Sequence, residues 1–235
     1  MVTIGSRPRS VRRQREHVAR KRAIVKAASR LFVARGIEAT TVEEIARACD
    51  LAKGTVYRYF TSKEEIAFAL LIEDTEKLQA AARAALDPAR PAVAQIEQLA
   101  VTYHRFSVAQ AEPFRYMFVV PHHSYSGRVA PALLERWADL GRSSLRILAD
   151  LLQQAEAEGD LAVPNPWASA VAIWSALTGV IVIPAQPVRA AFIGRLDLEQ
   201  LVVHTTRVLL AGLRPQRPPA RARSYAGRGG RRLRR

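Results

Sequence analysis

Apolar residues recur at helical spacing along nearly the whole chain, and runs that alternate apolar and polar residues are scarce. Proline and glycine interrupt this pattern at intervals, which favours short connections between helices. The first strong segment places five apolar residues on one helix face: Ile24, Ala27, Ala28, Leu31 and Phe32. Gly36 then supplies a stop signal for this helix. The pattern therefore predicts an all-α protein.

A second helix is predicted to begin at Thr40 or Thr41, because two capping boxes overlap there. Thr40 can pair with Glu43 in the first box, and Thr41 can pair with Glu44 in the second. A break is predicted at residues 49–51, where the apolar spacing is interrupted.

The third predicted helix is short and covers residues 53–60. The fourth opens with a capping box of Ser62 and Glu65 and runs to about residue 86. Prolines and glycines separate five further predicted helices, which cover residues 91–110, 113–120, 131–158, 167–183 and 196–212.

The second and third helices have the features of a DNA-reading helix-turn-helix, in which one short helix braces a second one that enters the major groove. Ala46 is small at the point where the two helices would cross. Apolar residues are spaced to form a small core beside it: Val42, Ile45, Leu51, Val56 and Phe60, with Leu31 and Phe32. Outside this core the third helix leaves Lys53, Thr55, Tyr57, Arg58 and part of Tyr59.

These outward residues suit contact with DNA. Lysine and arginine neutralise phosphates or bind guanine edges, and threonine and tyrosine hydroxyls bind phosphate oxygens. Gly54 allows close approach of the backbone, and Lys63 lies where a helix N-terminus favours phosphate. The alternative is that the aromatic residues belong to the core and the charged ones to a solvated face, which we accept for Phe60. The candidate DNA-binding residues are Thr41, Lys53, Gly54, Thr55, Tyr57, Arg58, Tyr59 and Lys63.

The segment resembles the N-terminal domain of the tetracycline-repressor (TetR) family of bacterial regulators over roughly residues 20–70. The matching parts are Leu31 to Gly36, Thr41 to Ala46, Lys53 to Phe60 and Ser62 to Ile66. Two positions depart from the family pattern, since the turn usually has glycine where this chain has Asp50 and often serine where it has Ala52. Aspartate tolerates the left-handed conformation better than most residues, so we expect the turn to form.

The resemblance implies a helix-turn-helix domain over residues 20–66 and a ligand-binding and dimerisation domain over residues 67–213. It assigns dimerisation to the helices at 167–183 and 196–212. Their apolar stripes are Trp174, Leu177, Val180 and Ile181 on the first, and Leu198, Leu201, Val202, Thr205, Val208 and Leu209 on the second. A homodimer predicts a palindromic operator in double-stranded DNA, with the two reading helices ~34 Å apart.

In this family the second domain also encloses a pocket, and release of the operator by a bound effector is the expectation for a repressor. Seven aromatic or sulfur-containing residues are the pocket candidates: Tyr103, Phe106, Phe114, Met117, Phe118, Trp137 and Trp174. They would suit a small apolar or aromatic ligand, although most residues of this kind are ordinary core.

Charge changes the picture mainly at the ends of the chain. The formal net charge is +15, but eight basic residues lie between Met1 and Arg22 against the single acid Glu16, and nine arginines lie in 214–235 without an acid. The body between these ends is close to neutral. Residues 1–19 and 214–235 are predicted to be disordered basic arms, which either contact DNA or only confer solubility. The alternative function is a weakly specific architectural nucleic-acid-binding protein that uses these arms.

Other function classes are not favoured. The one cysteine, Cys49, excludes an intrachain disulfide and fits a cytoplasmic protein, and the basic N-terminus lacks the apolar stretch of a secretory signal. The longest apolar run, 168–183, is too short for a membrane span. Nucleophile elbows, phosphate-binding loops and zinc-protease motifs are absent, so we expect no enzyme and no cofactor. His122 and His123 are adjacent and lack nearby ligands, so no metal site is predicted.

Overall fold

The computed structural model describes residues 7–111, 114, 127–184, 186–194 and 196–215, with the backbone alone at 7–10, 187 and 190. Every regular element in these ranges is a helix, which confirms the all-α prediction. The helices are α1 (Arg7–Arg35), α2 (Val42–Ala48), α3 (Lys53–Tyr57), α4 (Lys63–Ala84), α5 (Ala92–Ala109), α6 (Pro131–Ala157), α7 (Pro166–Val182), α8 (Pro187–Ile193) and α9 (Leu198–Gly212). No helix in the described ranges is long and apolar enough to cross a bilayer.

Helices α1 to α3 and the start of α4 enclose the first hydrophobic core. The predicted face of α1 is buried there with the predicted apolar residues of α2 and α3, namely Ile24, Ala28, Phe32, Ile45, Ala46, Val56 and Phe60. Leu31, Val42 and Leu51 are half-buried against the same core. Gly36 has a φ of 83° and its N–H donates to the Phe32 carbonyl at 2.8 Å, so glycine ends α1 as predicted.

Only one of the two overlapping capping boxes forms. Thr41 is the N-cap of α2, with both reciprocal bonds to Glu44 present. The box predicted between Thr40 and Glu43 is wrong: Thr40 is fully buried, and its hydroxyl donates to the Gly36 carbonyl at 2.7 Å. The reason is that the hydroxyl at position 40 closes the loop after α1 and is no longer available to α2.

The start of α4 differs from prediction in a similar way. Ser62 caps the helix by accepting from the Glu65 N–H at 3.0 Å. The Glu65 carboxylate turns instead to Thr61, where it accepts from the backbone N–H at 2.5 Å and from the hydroxyl at 2.6 Å. Only half of the predicted box is therefore present.

The N-terminal arm is the largest correction to the predicted organisation. Residues 1–19 were expected to be disordered, but α1 begins at Arg7 and continues without interruption into the core-forming helix. Residues 1–6 and nearly all of the predicted C-terminal arm, 216–235, lie outside the described residues. The first turns of α1 are rich in arginine, which favours helix. Arg12 and Glu16 also form an ion pair one turn apart, at 2.8 Å. High charge thus prevents burial but does not prevent extension of a helix that is already nucleated at residues 24–32.

Helices α4 to α7 and α9 form the second hydrophobic core, with Ile96, Leu152, Ile173, Leu177 and Val202 among its buried members. The ends of α5, α6, α7 and α9 lie within two residues of the predicted ends. Helix α8 was not predicted, because Pro184 and Pro187 were interpreted as breaks. Proline at the first position of a helix is favourable, and Pro187 occupies that position. The predicted helix 113–120 lies largely outside the described residues.

Three residues of the apolar stripes predicted for dimerisation face the core of their own chain. Leu177 and Ile181 on α7 and Val202 on α9 are 5% exposed or less and pack in the core of their own chain. Periodicity identifies an apolar face without identifying which core it joins, and the remaining residues of the two stripes are half-buried or exposed. Exposed apolar side chains near these helices are Trp167, Ile183, Val188, Phe192, Leu196 and Val208.

Candidate nucleic-acid interface and ligand cavity

The turn between α2 and α3 holds the two helices at a fixed angle. Asp50 takes the left-handed conformation, with a φ of 52°, and is the only described residue other than glycine with a positive φ. The next residue, Leu51, donates its N–H back to the Ala46 carbonyl at 2.9 Å. Ala46 is 2% exposed, which allows close contact at the crossing. Asp50 thus adopts the left-handed conformation at the position where the family pattern has glycine.

The outward face of α3 and of the turn after it brings the sequence-predicted residues together. Lys53, Gly54, Tyr57 and Arg58 are exposed, and Thr55 is half-buried. Tyr57 is 47% exposed, so it is not a core aromatic. A Cβ added at Gly54 would meet no protein atom within 4 Å, so packing within the chain does not require glycine there. The face is therefore open to another molecule along the whole of α3.

Lys53 is held to α2 by an exposed ion pair. Its Nζ lies 2.5 Å from Oε1 of Glu43, and this hydrogen bond raises the pKa of Lys53 above its usual value. The lysine is therefore charged at neutral pH. An exposed pair of this kind contributes little to stability, so a phosphate oxygen can replace the Glu43 carboxylate at small cost.

Tyr59 is braced from behind by α1. Its ring lies 4.7 Å from the His17 ring, measured between centroids, at an interplanar angle of 35°. Beside it, the Lys21 Nζ lies 5.0 Å from the centroid of the Phe60 ring. Sequence reasoning missed His17, because it lies in the segment interpreted as a disordered arm. The helical spacing of His17, Lys21, Ile24 and Ala28 could have shown that the face continues.

Lys63 is directed into the protein. Its Nζ donates to the backbone carbonyls of Ile37, Glu38 and Thr40, at 2.8, 3.0 and 3.2 Å. An ammonium has three N–H donors, so these three carbonyls occupy all of them. In this structure the side chain closes the loop between α1 and α2, although its sequence position predicted a phosphate contact.

Thr41 is exposed, but its hydroxyl is engaged in the capping box. Oγ1 donates to the Glu44 carboxylate at 2.7 Å and accepts from the Glu44 N–H at 3.3 Å. The Glu44 carboxylate also accepts from the Thr41 N–H at 2.8 Å and pairs with Arg35 at 2.8 Å. These hydrogen bonds from Thr41, followed by the charge of Arg35, lower the pKa of Glu44.

The second domain contains a cavity of about 280 Å³ between α4, α5, α6 and α7. Three of the predicted pocket residues line it, namely Tyr103, Trp137 and Trp174. Phe106 and Phe114 pack in the surrounding core, where the Phe114 ring contacts Tyr103 at 5.4 Å between centroids. Met117 and Phe118 lie outside the described residues.

Two polar residues that line the cavity, Gln79 and Tyr103, each bind a neighbouring side chain that is not part of the lining. The Gln79 amide donates to Ser143 Oγ at 2.6 Å, and the Tyr103 hydroxyl is 2.8 Å from the Thr178 hydroxyl. Burial is the main cause that raises the pKa of Tyr103, so its hydroxyl is neutral. Among the described lining residues there is no aspartate or glutamate, and Arg142 pairs with Asp139. Such a wall suits an uncharged, largely apolar molecule. Gln79 was not predicted, since a lone glutamine on a helix carries no sequence signal.

The cavity and the DNA-binding domain share a wall. Trp137 lines the cavity and packs edge-on against Phe68 of the first core, with ring centroids 5.7 Å apart. At the start of the same segment, Arg128 pairs with the nearly buried Glu64 at 3.1 Å, and Ser62 Oγ donates to the Arg128 carbonyl at 2.9 Å. The start of α6 is thereby attached to the N-terminus of α4.

Comparisons with known proteins match both halves of the chain. A family model described as bacterial regulatory proteins, tetR family, matches residues 24–70. A second, described as tetracyclin repressor-like, C-terminal domain, matches residues 96–187. These two segments contain the helix-turn-helix and most of the cavity wall.

The chain matches less than half of the length of several curated relatives. The transcriptional regulator TcmR of Streptomyces glaucescens is 44% identical over 63 residues, which cover 27% of this chain and 25% of TcmR. For YhgD of Bacillus subtilis, the match covers 39% of the relative. The transcriptional repressor BepR of Brucella suis biovar 1 matches more fully, at 25% identity over 223 residues, covering 89% of this chain and 98% of BepR.

Solved structures extend the likeness to the whole fold. A tetR-family regulatory protein from Rhodococcus RHA1 has a TM-score of 0.65 at 22% identity, covering 84% of this chain and 98% of that one. A regulator of the TetR/AcrR family from Thermobifida fusca has a TM-score of 0.60 at 25% identity, covering 84% of this chain and 100% of that one.

Proposed function

Since the chain belongs to the tetR family of bacterial regulatory proteins, we propose that it is a dimeric transcriptional repressor that an uncharged effector releases from a palindromic operator. The observation that carries the proposal is the outward face of α3. The exposed side chains of α3 do not pack in the core, and α1, α2 and the turn at Asp50 hold the helix in place.

The direct DNA contacts are assigned to Lys53, Thr55, Tyr57, Arg58 and Tyr59. Lysine and arginine supply charge to phosphates or guanine edges, and the hydroxyls supply donors to phosphate oxygens. Gly54 admits the DNA backbone next to α3. Thr41 and Lys63 act indirectly, because their polar atoms already bind protein groups that position α2 and the loop before it.

Dimer formation is proposed through the outer surfaces of α7 to α9. Val188 and Phe192 on α8 are 82% and 77% exposed, and Val208 on α9 is 55% exposed. An exposed cluster of large apolar side chains is costly in water and favours pairing with a second copy. A two-fold dimer presents two α3 helices to successive major grooves, ~34 Å apart.

Effector release is proposed to act through α6. A ligand in the cavity contacts Trp137 and thereby biases the packing of Trp137 on Phe68, which belongs to the DNA-binding core. The wall lacks a described carboxylate and consists mostly of apolar side chains, so the expected ligand is uncharged, small and aromatic or aliphatic. Because Trp137 and Trp174 both line the cavity, binding of such a compound should change tryptophan fluorescence, and Trp137→Phe should reduce that change.

Selection from random-sequence duplex DNA tests the proposed function. The full chain should enrich a short site with two-fold symmetry, and Tyr57→Ala should weaken binding to that site at least about tenfold. Val33→Ala is the matched control, since Val33 is also 47% exposed, lies in the same domain and points away from the core face of α1. It should bind as the unchanged chain does.

Two outcomes would contradict the proposal. Recovery of no shared sequence would favour the weakly specific architectural binder, whose affinity depends on salt rather than on sequence. Equal losses for the Tyr57 and Val33 variants would show that the α3 face is not the reading surface. Circular dichroism and a native mass measurement establish that each variant is folded and that its oligomeric state is unchanged.

A further inference from the structure

We propose that the first turns of α1 form a rigid basic ridge that binds the phosphates flanking each half-site, through Arg13 and Arg20. This inference rests on the proposed function and adds a second DNA-binding element to it. The ridge is the face of α1 that contains Arg13, His17 and Arg20. It continues the core face of α1 beyond the globular domain.

Contact between His17 and Tyr59 fixes the direction of this face. Because an α-helix turns by about 100° per residue, Arg13 and Arg20 lie about 40° and about 60° from His17 on the same side of the α1 axis, and so about 20° from each other. Tyr59 follows the reading helix directly, next to Arg58. A duplex that contacts the end of α3 therefore passes close to the two arginines.

The same geometry places other arginines of α1 away from the duplex. Arg15 and Arg22 lie about 160° and 140° from His17, on the opposite side of the helix. Arg12 is paired with Glu16 at 2.8 Å, so its charge is largely compensated. The arginines of the first turns thus divide into a set that faces the reading helix and a set that faces solvent.

The chemistry of the ridge fits a phosphate backbone. Arg13 and Arg20 are exposed, and neither forms an ion pair with a described residue. Guanidinium groups bind phosphate oxygens with two parallel hydrogen bonds, without regard to base sequence. A helix also holds these groups in place before binding, so less side-chain and backbone freedom is lost than in a disordered arm. The expected result is higher affinity with unchanged sequence preference.

Two double variants with the same change in charge test the ridge. The probe is a duplex of about 40 base pairs centred on the site that the unchanged chain selects, and the full chain is titrated at several salt concentrations. Arg13→Ala with Arg20→Ala should weaken binding about tenfold or more. It should also make the salt slope less negative by up to about four, since one dimer loses four phosphate contacts. Arg15→Ala with Arg22→Ala should stay within about twofold of the unchanged chain.

A shorter duplex locates the contact. When the flanking base pairs are removed and only the selected site remains, the two double variants should bind equally well. Equal losses of affinity for the two double variants on the long duplex would overturn the inference, because they would mean that the arginines act regardless of which face of α1 they lie on. No loss for either pair would also overturn it. If the unchanged chain selects no site at all, the proposed function fails first, and the two failures are thereby distinguished.

Rigidity of the ridge is tested separately with Ala19→Pro. Residue 19 is exposed and precedes the buried segment that starts at Ile24, so the substitution breaks the first turns of α1 without altering charge or core. Affinity for the long duplex should fall at least as far as for the Arg13 and Arg20 variant, and circular dichroism should show that the rest of the fold is retained. Full affinity in Ala19→Pro would show that the helix is not needed.

Discussion

Lys63→Met should lower the free energy of unfolding, because Lys63 holds the loop between α1 and α2 and does not contact DNA directly. Methionine keeps most of the apolar stem and removes the ammonium. The loop between α1 and α2 then loses three donors to the carbonyls of Ile37, Glu38 and Thr40, at 2.8, 3.0 and 3.2 Å. The Ile37 carbonyl keeps one other donor, the Thr40 N–H at 3.1 Å.

The size of the effect follows from these contacts. A hydrogen bond to a charged group contributes roughly 1.5–3 kcal/mol when it is buried. The bond to Glu38 is exposed and water can replace it, whereas the bonds to Ile37 and Thr40 are partly buried. We therefore expect a loss of about 2 kcal/mol in the free energy of unfolding. For a chain of this size that corresponds to a fall in Tm of about 4–8 °C.

Lys53→Met provides the matched comparison. Its ammonium forms one exposed pair with Glu43, so the free energy of unfolding should change little. Loss of a phosphate contact in each half of a dimer should instead weaken operator binding about tenfold. Thermal unfolding and a binding titration on both variants distinguish a role in the loop from a direct contact with DNA. An unchanged Tm in Lys63→Met, together with a loss of affinity like that of Lys53→Met, would refute the assignment of Lys63 to the loop.

Three further substitutions test the local geometry. Asp50→Gly should raise the free energy of unfolding by about 0.5–1 kcal/mol, since glycine adopts a φ of 52° without strain; a lower Tm would contradict this. Thr41→Ala should cost about 1 kcal/mol. Because the pKa of Glu44 is lowered in the folded state, its carboxylate stabilises the fold above pH ~4.3, and this contribution is lost as the pH falls through the pKa of the folded state. The free energy of unfolding of Thr41→Ala should therefore fall less steeply with decreasing pH than that of the unchanged chain. Tyr103→Phe should cost about 1 kcal/mol through the Thr178 hydrogen bond and leave site selection unchanged.

Local signals explain why the DNA-binding domain could be predicted closely from the sequence. The spacing of Ile45, Val56 and Phe60, the cap at Thr41 and the glycine at position 36 each depend on neighbours within a few residues. Asp50 was also anticipated in the left-handed conformation that it adopts. The exposed set on α3 follows from the same periodicity, since residues that leave the core face of a short helix must point outward.

Tertiary contacts explain what could not be predicted. Lys63 reaches back to carbonyls 23 to 26 positions earlier, and no spacing rule encodes such a contact. The burial of Leu177 and Val202 depends on which helices meet, and periodicity does not supply that information. The order in α1 before residue 20 depends on an adjoining helix that is already nucleated, whereas composition alone favoured disorder.

The measurement that tests the central claim most directly is the affinity of the purified full chain for its selected duplex, compared between the unchanged protein and Tyr57→Ala. If the face of α3 reads DNA, the unchanged chain selects a two-fold symmetric site, and the variant loses at least about tenfold in affinity for it while keeping its Tm and oligomeric state. Equal affinity for selected and scrambled duplexes, unaltered by Tyr57→Ala, would contradict the account.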